Sequence, residues 1–137
     1  IGRKLTRDGG QMMEATYQAF AELVADISDA ESKGLAQGLL DDWRASSADC
    51  LGMDGTTAAA AAADYLAYSA YSLIGVLWYS MADKAASTDN AVLASSKQKT
   101  RDFYMQRILP RRNAHKQAYS AGYESTLAVS GSEFDYI

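Results

Sequence analysis

The chain has 137 residues, of which 48% are hydrophobic, and its net charge at pH 7 is −4. This length fits a single domain, and the hydrophobic fraction is too high for a disordered chain. There is one proline, and alanine, leucine, methionine, glutamine and glutamate, which favour helices, are abundant. Because β folds need more turn residues, we expect an all-α domain. The net negative charge argues against nucleic acid as a partner.

Cys50 is the only cysteine, so the chain cannot form an internal disulfide. That usage suits a reducing compartment, and no signal-peptide pattern opens the sequence. Between Asp64 and Asp83 lie 18 uncharged residues, close to the roughly 20 that a membrane span needs. They include four tyrosines and three serines, which favours a buried bundle helix. We therefore expect a cytoplasmic chain without a membrane span.

Two helices are predicted in the first third of the chain. Asp8, with Gln11 three residues later, predicts the start of the first. The second is predicted to start at Ser28 with the capping-box pattern Ser-x-x-Glu and to stop near Gly52. The apolar positions that recur at helical spacing are Met13, Tyr17, Phe20, Val24 and Ile27 in the first, and Leu35, Leu39, Trp43, Cys50 and Leu51 in the second.

The third helix is predicted to be the centre of the fold. Thr56 or Thr57 would cap it, and the six alanines at 58–63 begin it. Four tyrosines widen its apolar surface, and a helix that is apolar on most sides is buried on most sides. Its predicted buried face consists of Leu66, Ala70, Leu73, Ile74, Leu77, Trp78 and Met81.

The fourth helix is predicted to run from about Ala91 to about Ala128, with a kink or break at Pro110. Beyond Pro110, a stripe of small residues would resume the packing face: Ala114, Ala118, Ala121 and Ser125. Four helices with short connections favour an up-and-down four-helix bundle. We assign residues 11–128 to this bundle and residues 129–137 to a tail.

The residues that could carry chemistry are few. His115 is the only histidine, and Arg112 stands where a Glu-x-x-His metal pair would need a glutamate. We expect His115 to face solvent. Cys50 is flanked by Asp49 and has no nearby cation to activate it, so we interpret it as a small residue of the bundle interior. We expect no catalytic, cofactor-binding or metal-ligating residue in this chain.

Charge is unevenly distributed. Residues 1–54 hold ten acidic and five basic residues, whereas residues 88–137 hold five acidic and seven basic ones. The seven bases would either be solvated or paired with the acidic helices, or they would form a surface for an anionic ligand. Tyr119 and Tyr123, four apart, are a second candidate docking surface. The bases are Lys97, Lys99, Arg101, Arg107, Arg111, Arg112 and Lys116.

Three stretches carry a family resemblance. They are IGRKLTRDGG (residues 1–10), AAADYLAYSAYSLIGVLWYSMADKA (61–85) and RDFYMQRILPRRNAHKQAYSAGYESTL (101–127). In their order and spacing they resemble the C-terminal helical domain of long-form bacterial acyl-CoA dehydrogenases across nearly the whole chain. The second helix, residues 32–52, matches that pattern least well.

The resemblance implies that the parent enzyme uses FAD to dehydrogenate acyl-CoA thioesters. In that family a carboxylate takes the α-proton and the flavin takes the β-hydride, and the carboxylate precedes the Ile-Gly-Arg-Lys-Leu stretch. Glu14 and Glu22 follow that stretch here, so no catalytic residue is carried over. Residues 1–10 would be the junction from a catalytic core that this chain lacks, with Arg3 and Lys4 nearest to it.

The resemblance thus implies an accessory domain that docks on the catalytic core of the same polypeptide. Acyl-CoA would be the substrate of the parent, which we expect to be a homo-oligomer, and this fragment would bind no FAD and be inactive alone. One alternative is a free-standing helical adaptor that binds a partner through its tyrosines. Another is a bundle that binds a small ligand in a cavity beside Trp78.

Overall fold

A computed structural model describes residues 8–134. The described residues form helices and turns without a strand, so the predicted all-α bundle is confirmed. The junction residues 1–7, including Arg3 and Lys4, and residues 135–137 of the tail lie outside the described residues. The helices are α1 (Gln11–Ala25), α2 (Ala30–Leu51), α3 (Gly55–Ala86), α4 (Ala91–Phe103), a π-helix (Tyr104–Ile108), a 3-10 helix (Leu109–Arg111), α5 (Arg112–Tyr119) and α6 (Glu124–Leu127).

Aspartates begin the first three helices. Asp8 accepts hydrogen bonds from the backbone N–H groups of Gly10 and Met12, as predicted, although Gly10 rather than Asp8 is the N-cap of α1. The predicted caps of the next two helices were wrong by a few residues. Asp29, rather than the preceding serine, accepts from the backbone of α2, and Asp54, rather than a threonine, caps α3. A short carboxylate beside an exposed helix N-terminus satisfies its free N–H groups and favours its dipole.

The third helix is central, as predicted, because α3 contacts α1, α2, α4 and α5. Its predicted buried face was largely wrong, however, although Leu73 does pack against the core. Leu66, Ala70, Ile74 and Met81 are exposed, while Trp78 is half-buried. The face that packs inward carries tyrosines and small residues instead: Ala61, Tyr65, Tyr68, Ser72, Gly75, Val76, Tyr79 and Ala82.

The bundle interior lies mainly between α2 and α3. The predicted face of α1 is confirmed, since Val24 and Ile27 are buried and the other three residues are partly buried and pack against the bundle core. In α2, Leu35 was wrongly included in the buried stripe, because half of its surface is exposed. The buried residues of α2 are Ser32, Ala36, Leu39, Leu40, Trp43, Ser46, Ser47 and Cys50.

The fourth bundle helix (residues 91–119) changes its winding at the predicted kink. Leu109 donates its backbone N–H to the carbonyl of Tyr104, five residues back, and a turn of 3-10 helix follows over Leu109–Arg111, with Pro110 in it. Proline has no N–H and its ring crowds the preceding turn, so the wider π turn and the tighter 3-10 turn carry the chain past it.

The end of this helix differs from the prediction. It stops at Tyr119, and Gly122 with a φ of 79° starts the next turn. Ala114, Ala118 and Ala121 are exposed, so the predicted stripe of small residues does not face the interior. Tyr119 is buried in its place.

Candidate functional surfaces

Arg112 of α5 joins three helices. Its Nη2 lies 2.8 Å from Asp42 Oδ2 on α2, and its Nη1 donates to Ser72 Oγ of α3 at 3.3 Å. Its guanidinium also lies over the Tyr68 ring, 5.7 Å from the ring centroid. This is the predicted pairing of a base with an acidic helix, and it satisfies the hydroxyl of Ser72, which is fully buried.

The prediction that His115 faces solvent was wrong. Its Nδ1 lies 2.8 Å from Asp64 Oδ1, and its ring stacks on Tyr71 with centroids 5.7 Å apart. The side chain is about one-third exposed, at 32%. His115 therefore holds α5 against α3, a role that its position in a charged stretch did not reveal.

The other bases of the fourth bundle helix are distributed around it. Arg101 pairs with the adjacent Asp102 at 2.8 Å. Lys97 and Lys116 lie over the rings of Trp78 and Tyr68, respectively, at 5.5 and 5.8 Å. Such contacts let the long side chains cover aromatic surface while their charges stay hydrated. The arrangement favours the first of the two predicted readings, in which these bases are solvated or paired.

A polar cluster lies inside the bundle, where α2 faces α3 and α5. Ser47 Oγ lies 2.7 Å from the hydroxyl of Tyr65 and donates to the carbonyl of Trp43. Among the described residues 8–134, three buried polar atoms of this region have no hydrogen-bond partner: Trp43 Nε1, Ser46 Oγ and Tyr119 Oη. Buried polar groups usually have a hydrogen-bond partner, so these three atoms are exceptions beside the bonded pair of Ser47 and Tyr65.

Cys50 lies in the same interior and is 5% exposed, as predicted for an interior residue. Burial, with a smaller contribution from the charge of Asp49, raises the pKa of its thiol to about 11. Because the thiolate is the nucleophile, Cys50 is a poor nucleophile at neutral pH.

The predicted tyrosine surface is largely absent. Tyr119 is 2% exposed and meets the rings of Tyr65 and Tyr68 edge-on, at centroid distances of 6.2 and 5.7 Å. Tyr123, the other tyrosine of the predicted pair, has an intermediate exposure. Of the eight tyrosines within residues 8–134, five are buried, namely Tyr65, Tyr68, Tyr79, Tyr104 and Tyr119.

The outward side of α3 is apolar over most of its length. Leu66 is 54% exposed and Ile74 is 41% exposed, although both belong to the most hydrophobic helix of the chain. Exposed apolar patches of this kind mark interaction sites. No predicted site residue lies in it, because sequence periodicity had assigned this side of α3 to the interior.

Within residues 8–134, no three histidine, cysteine, aspartate or glutamate side chains are grouped so that they could hold a metal ion. The same residues contain no helix that combines the length and the apolar character needed to cross a membrane.

Comparison with known proteins gives one match. The family model described as acetyl-CoA dehydrogenase C-terminal like matches residues 10–130. No curated protein and no solved structure matches the chain. The matched region includes all of α1 to α6, which agrees with the resemblance seen in the sequence. The chain therefore belongs to the acetyl-CoA dehydrogenase C-terminal-like family, as the C-terminal domain of an acyl-CoA dehydrogenase.

Proposed function

We propose that this chain is the accessory helical domain of an FAD-dependent acyl-CoA dehydrogenase of the cytoplasm, and that its own role is to support the catalytic core. The parent enzyme would form a double bond between the α and β carbons of an acyl-CoA thioester. The family match over residues 10–130 is the observation that carries the proposal.

The side chains described above do not fit an FAD site. Arg112, the base that lies deepest in the contact between α2, α3 and α5, has a side chain that is only 16% exposed and is already paired with Asp42. The interior next to it is filled by aromatic side chains. We therefore assign the flavin and the catalytic base to the catalytic core, and no step of the reaction to this chain.

The adaptor alternative has less support. It depends on exposed tyrosines, and five of the eight tyrosines in the part of the chain that the structure describes are buried. The hydroxyl of Tyr104 donates a hydrogen bond to the carbonyl of Tyr71 at 2.9 Å, and the hydroxyl of Tyr65 is hydrogen-bonded to Ser47. Tyrosines that are held in this way stabilise the bundle and are not free to bind a partner.

Two measurements test the proposal. The purified chain should give a helical circular dichroism spectrum, and after incubation with FAD and removal of unbound flavin by gel filtration it should carry no flavin absorbance. The catalytic core, expressed without this chain, should lose FAD on gel filtration and should retain it when the chain is supplied in trans. A Gly75→Leu chain, which cannot pack normally, is the matched control. Stoichiometric FAD on the chain alone, or a core that is indifferent to the chain, would overturn the proposal.

A further inference from the structure

A polar cleft lies between the first turn of α2, the last turns of α3 and the middle of the fourth bundle helix. It consists of two adjoining hollows, with volumes of about 270 and 360 Å³. Asp29, Ser32 and Arg101 border both hollows, Tyr79 borders the first, and Ala86 borders the second. We call this feature the α2–α4 cleft. Hollows of this size suit a small molecule.

Tyr79 places an unused hydroxyl group in the cleft. Its side chain is more than nine-tenths buried, at 9% exposure, and it borders the first hollow. The hydroxyls of Tyr65 and Tyr104 are hydrogen-bonded, whereas that of Tyr79 has no hydrogen-bond partner within residues 8–134 and is not enclosed by the protein. Because buried hydroxyls are usually satisfied, this group is available to a ligand in the first hollow.

The charge of the cleft is negative. Arg101 is the only base among the described residues that line it, and its Nε and Nη2 both donate to Oδ1 of Asp102, at 2.9 and 2.8 Å. These two charges offset each other, which leaves the carboxylates of Asp29, Glu31 and Asp83. Asp29 and Asp83 accept bonds from backbone N–H groups, but such bonds leave a carboxylate its charge and further lone pairs. The cleft therefore favours a cation.

The helix ends at the cleft agree with this sign. The second hollow borders Ala82 and Ala86 in the last turns of α3, and the C-terminal end of a helix dipole favours a positive charge. The opposite wall is the N-terminus of α2, whose dipole has the other sign. There the carboxylate of Asp29 caps the helix and offsets the positive end.

The spacing of the carboxylates selects the kind of cation. In the described part of the chain no three acidic side chains are close enough together to hold a metal ion. Those of the cleft are instead spread along it, since Glu31 and Asp102 border only the first hollow and Asp83 borders only the second. A cation with two charged ends matches this spread better than a single charge does.

We propose that the α2–α4 cleft binds an aliphatic diamine, with one ammonium group in each hollow. Aliphatic amines are protonated at neutral pH. The ammonium group in the first hollow donates to the hydroxyl of Tyr79 and to Glu31, and the other lies beside Asp83. The site belongs to this chain alone and does not depend on the proposed function.

Titration of the purified chain with 1,4-diaminobutane, followed by two-dimensional proton–nitrogen NMR, tests the site. The backbone amide signals of Ser32, Asp83 and Asp102 should shift and then saturate. Butylamine is the matched ligand, because it has the same carbon chain and a single ammonium group. Its dissociation constant should be at least about tenfold higher than that of the diamine.

Two pairs of variants test the named contacts. Tyr79→Phe removes only the hydroxyl and should raise the dissociation constant of the diamine about threefold to tenfold, whereas Tyr123→Phe, outside the cleft, should leave it unchanged. Glu31→Gln should raise it at least about threefold. Asp49→Asn removes the same charge from an exposed position about 27 Å further along α2 and should change it less than about twofold. Circular dichroism should show all four variants folded.

Several results would overturn the proposal. Amide signals that do not move at millimolar diamine would show that the cleft is not a site for this ligand. Equal affinity for butylamine would reject a site with two ends. Equal effects of Glu31→Gln and Asp49→Asn would mean that the diamine follows the net charge of the chain, and equal affinities of Tyr79→Phe and the parent chain would remove the hydroxyl from the site.

Discussion

Leu39 of α2 packs against the bare backbone of Gly75 in α3. A Cβ atom at Gly75 would lie 2.8 Å from Leu39 Cδ1 and 3.5 Å from Leu109 Cδ1. At Gly75, therefore, side chains of both the second and the fourth bundle helix come close to the backbone of α3. A glycine in the middle of a helix costs about 1 kcal/mol relative to alanine, so the close approach must offset this cost.

We expect Gly75→Ala to leave the free energy of unfolding unchanged or to lower it by up to about 2 kcal/mol. The gain in helix propensity is about 1 kcal/mol, and overpacking an interior costs about 1–3 kcal/mol. Gly38→Ala is the control, because its Cβ would have no neighbour within 4 Å, and it should stabilise the chain by about 0.5–1 kcal/mol. Urea denaturation measures both. Equal stabilisation by the two variants would show that Gly75 is not a close contact.

The guanidinium of Arg112 should contribute more to stability than any of its exposed neighbours. Arg112→Met removes the Asp42 ion pair and the bond to Ser72 but keeps much of the apolar stem. Asp42 is more than half exposed, so the ion pair itself should contribute less than about 1 kcal/mol. Leaving the buried Ser72 hydroxyl without a partner should cost about 1–3 kcal/mol.

A double-mutant cycle with Asp42→Asn separates these two terms. The coupling energy between Arg112 and Asp42 should be smaller than the total loss in Arg112→Met. Arg111→Met changes an exposed neighbour, and its free energy of unfolding should lie within about 0.5 kcal/mol of that of the parent chain. A loss that is fully accounted for by the Asp42 coupling would contradict the role assigned to Ser72.

Asp83 should stabilise the connection between α1 and α2. Its two carboxylate oxygens accept hydrogen bonds from the backbone N–H groups of Ser28 and Asp29, each at 3.1 Å. Asp83→Ala removes both acceptors, and hydrogen bonds to a charged group contribute about 1.5–3 kcal/mol each when well formed. Because this site is partly open to water, we expect Asp83→Ala to lower the free energy of unfolding by about 1.5 kcal/mol, the lower end of that range.

Hydrogen exchange of the Ser28 and Asp29 amides measures the effect locally. Both amides should lose protection in Asp83→Ala, while Asp89→Ala, at an exposed aspartate in the next turn, should leave them protected. Unchanged protection in both variants would mean that the two bonds are not maintained in solution.

The existence and order of the helices could be predicted from the sequence, because helical periodicity and the single proline are local signals. The face of α3 could not. Its uncharged stretch is apolar all round, so periodicity does not select a side. Packing selected the side on which Tyr65 and Tyr68 find hydrogen-bond partners in α2 and Gly75 admits Leu39. These contacts join residues that are far apart in the sequence, so the local pattern of α3 does not reveal them.

The candidate surfaces could also be predicted only in part, because some of their contacts follow from local composition and others join distant segments. The distribution of charge along the sequence predicts that the basic fourth bundle helix pairs with the acidic helices. The Arg112–Asp42 contact confirms this pairing. The contact of His115 with Asp64 spans 51 residues and depends on how α5 is positioned along α3. A Glu or Asp one helical turn away in the sequence would have been visible, but a partner in another helix is not.

Titration of Cys50 should make the chain less stable in alkali. Its folded-state pKa of about 11 lies above the unfolded value of 9.0 because the thiol is buried. Folding therefore favours the protonated thiol, and this contribution is fully present below pH 9, decreases as the pH rises and is lost above the folded pKa. We expect Cys50→Ala to lose less stability than the parent chain between about pH 8 and about pH 10.5. Comparing each chain with itself at the two pH values cancels the cost of the small cavity, and an identical loss in both chains would show that the thiol does not ionise on unfolding.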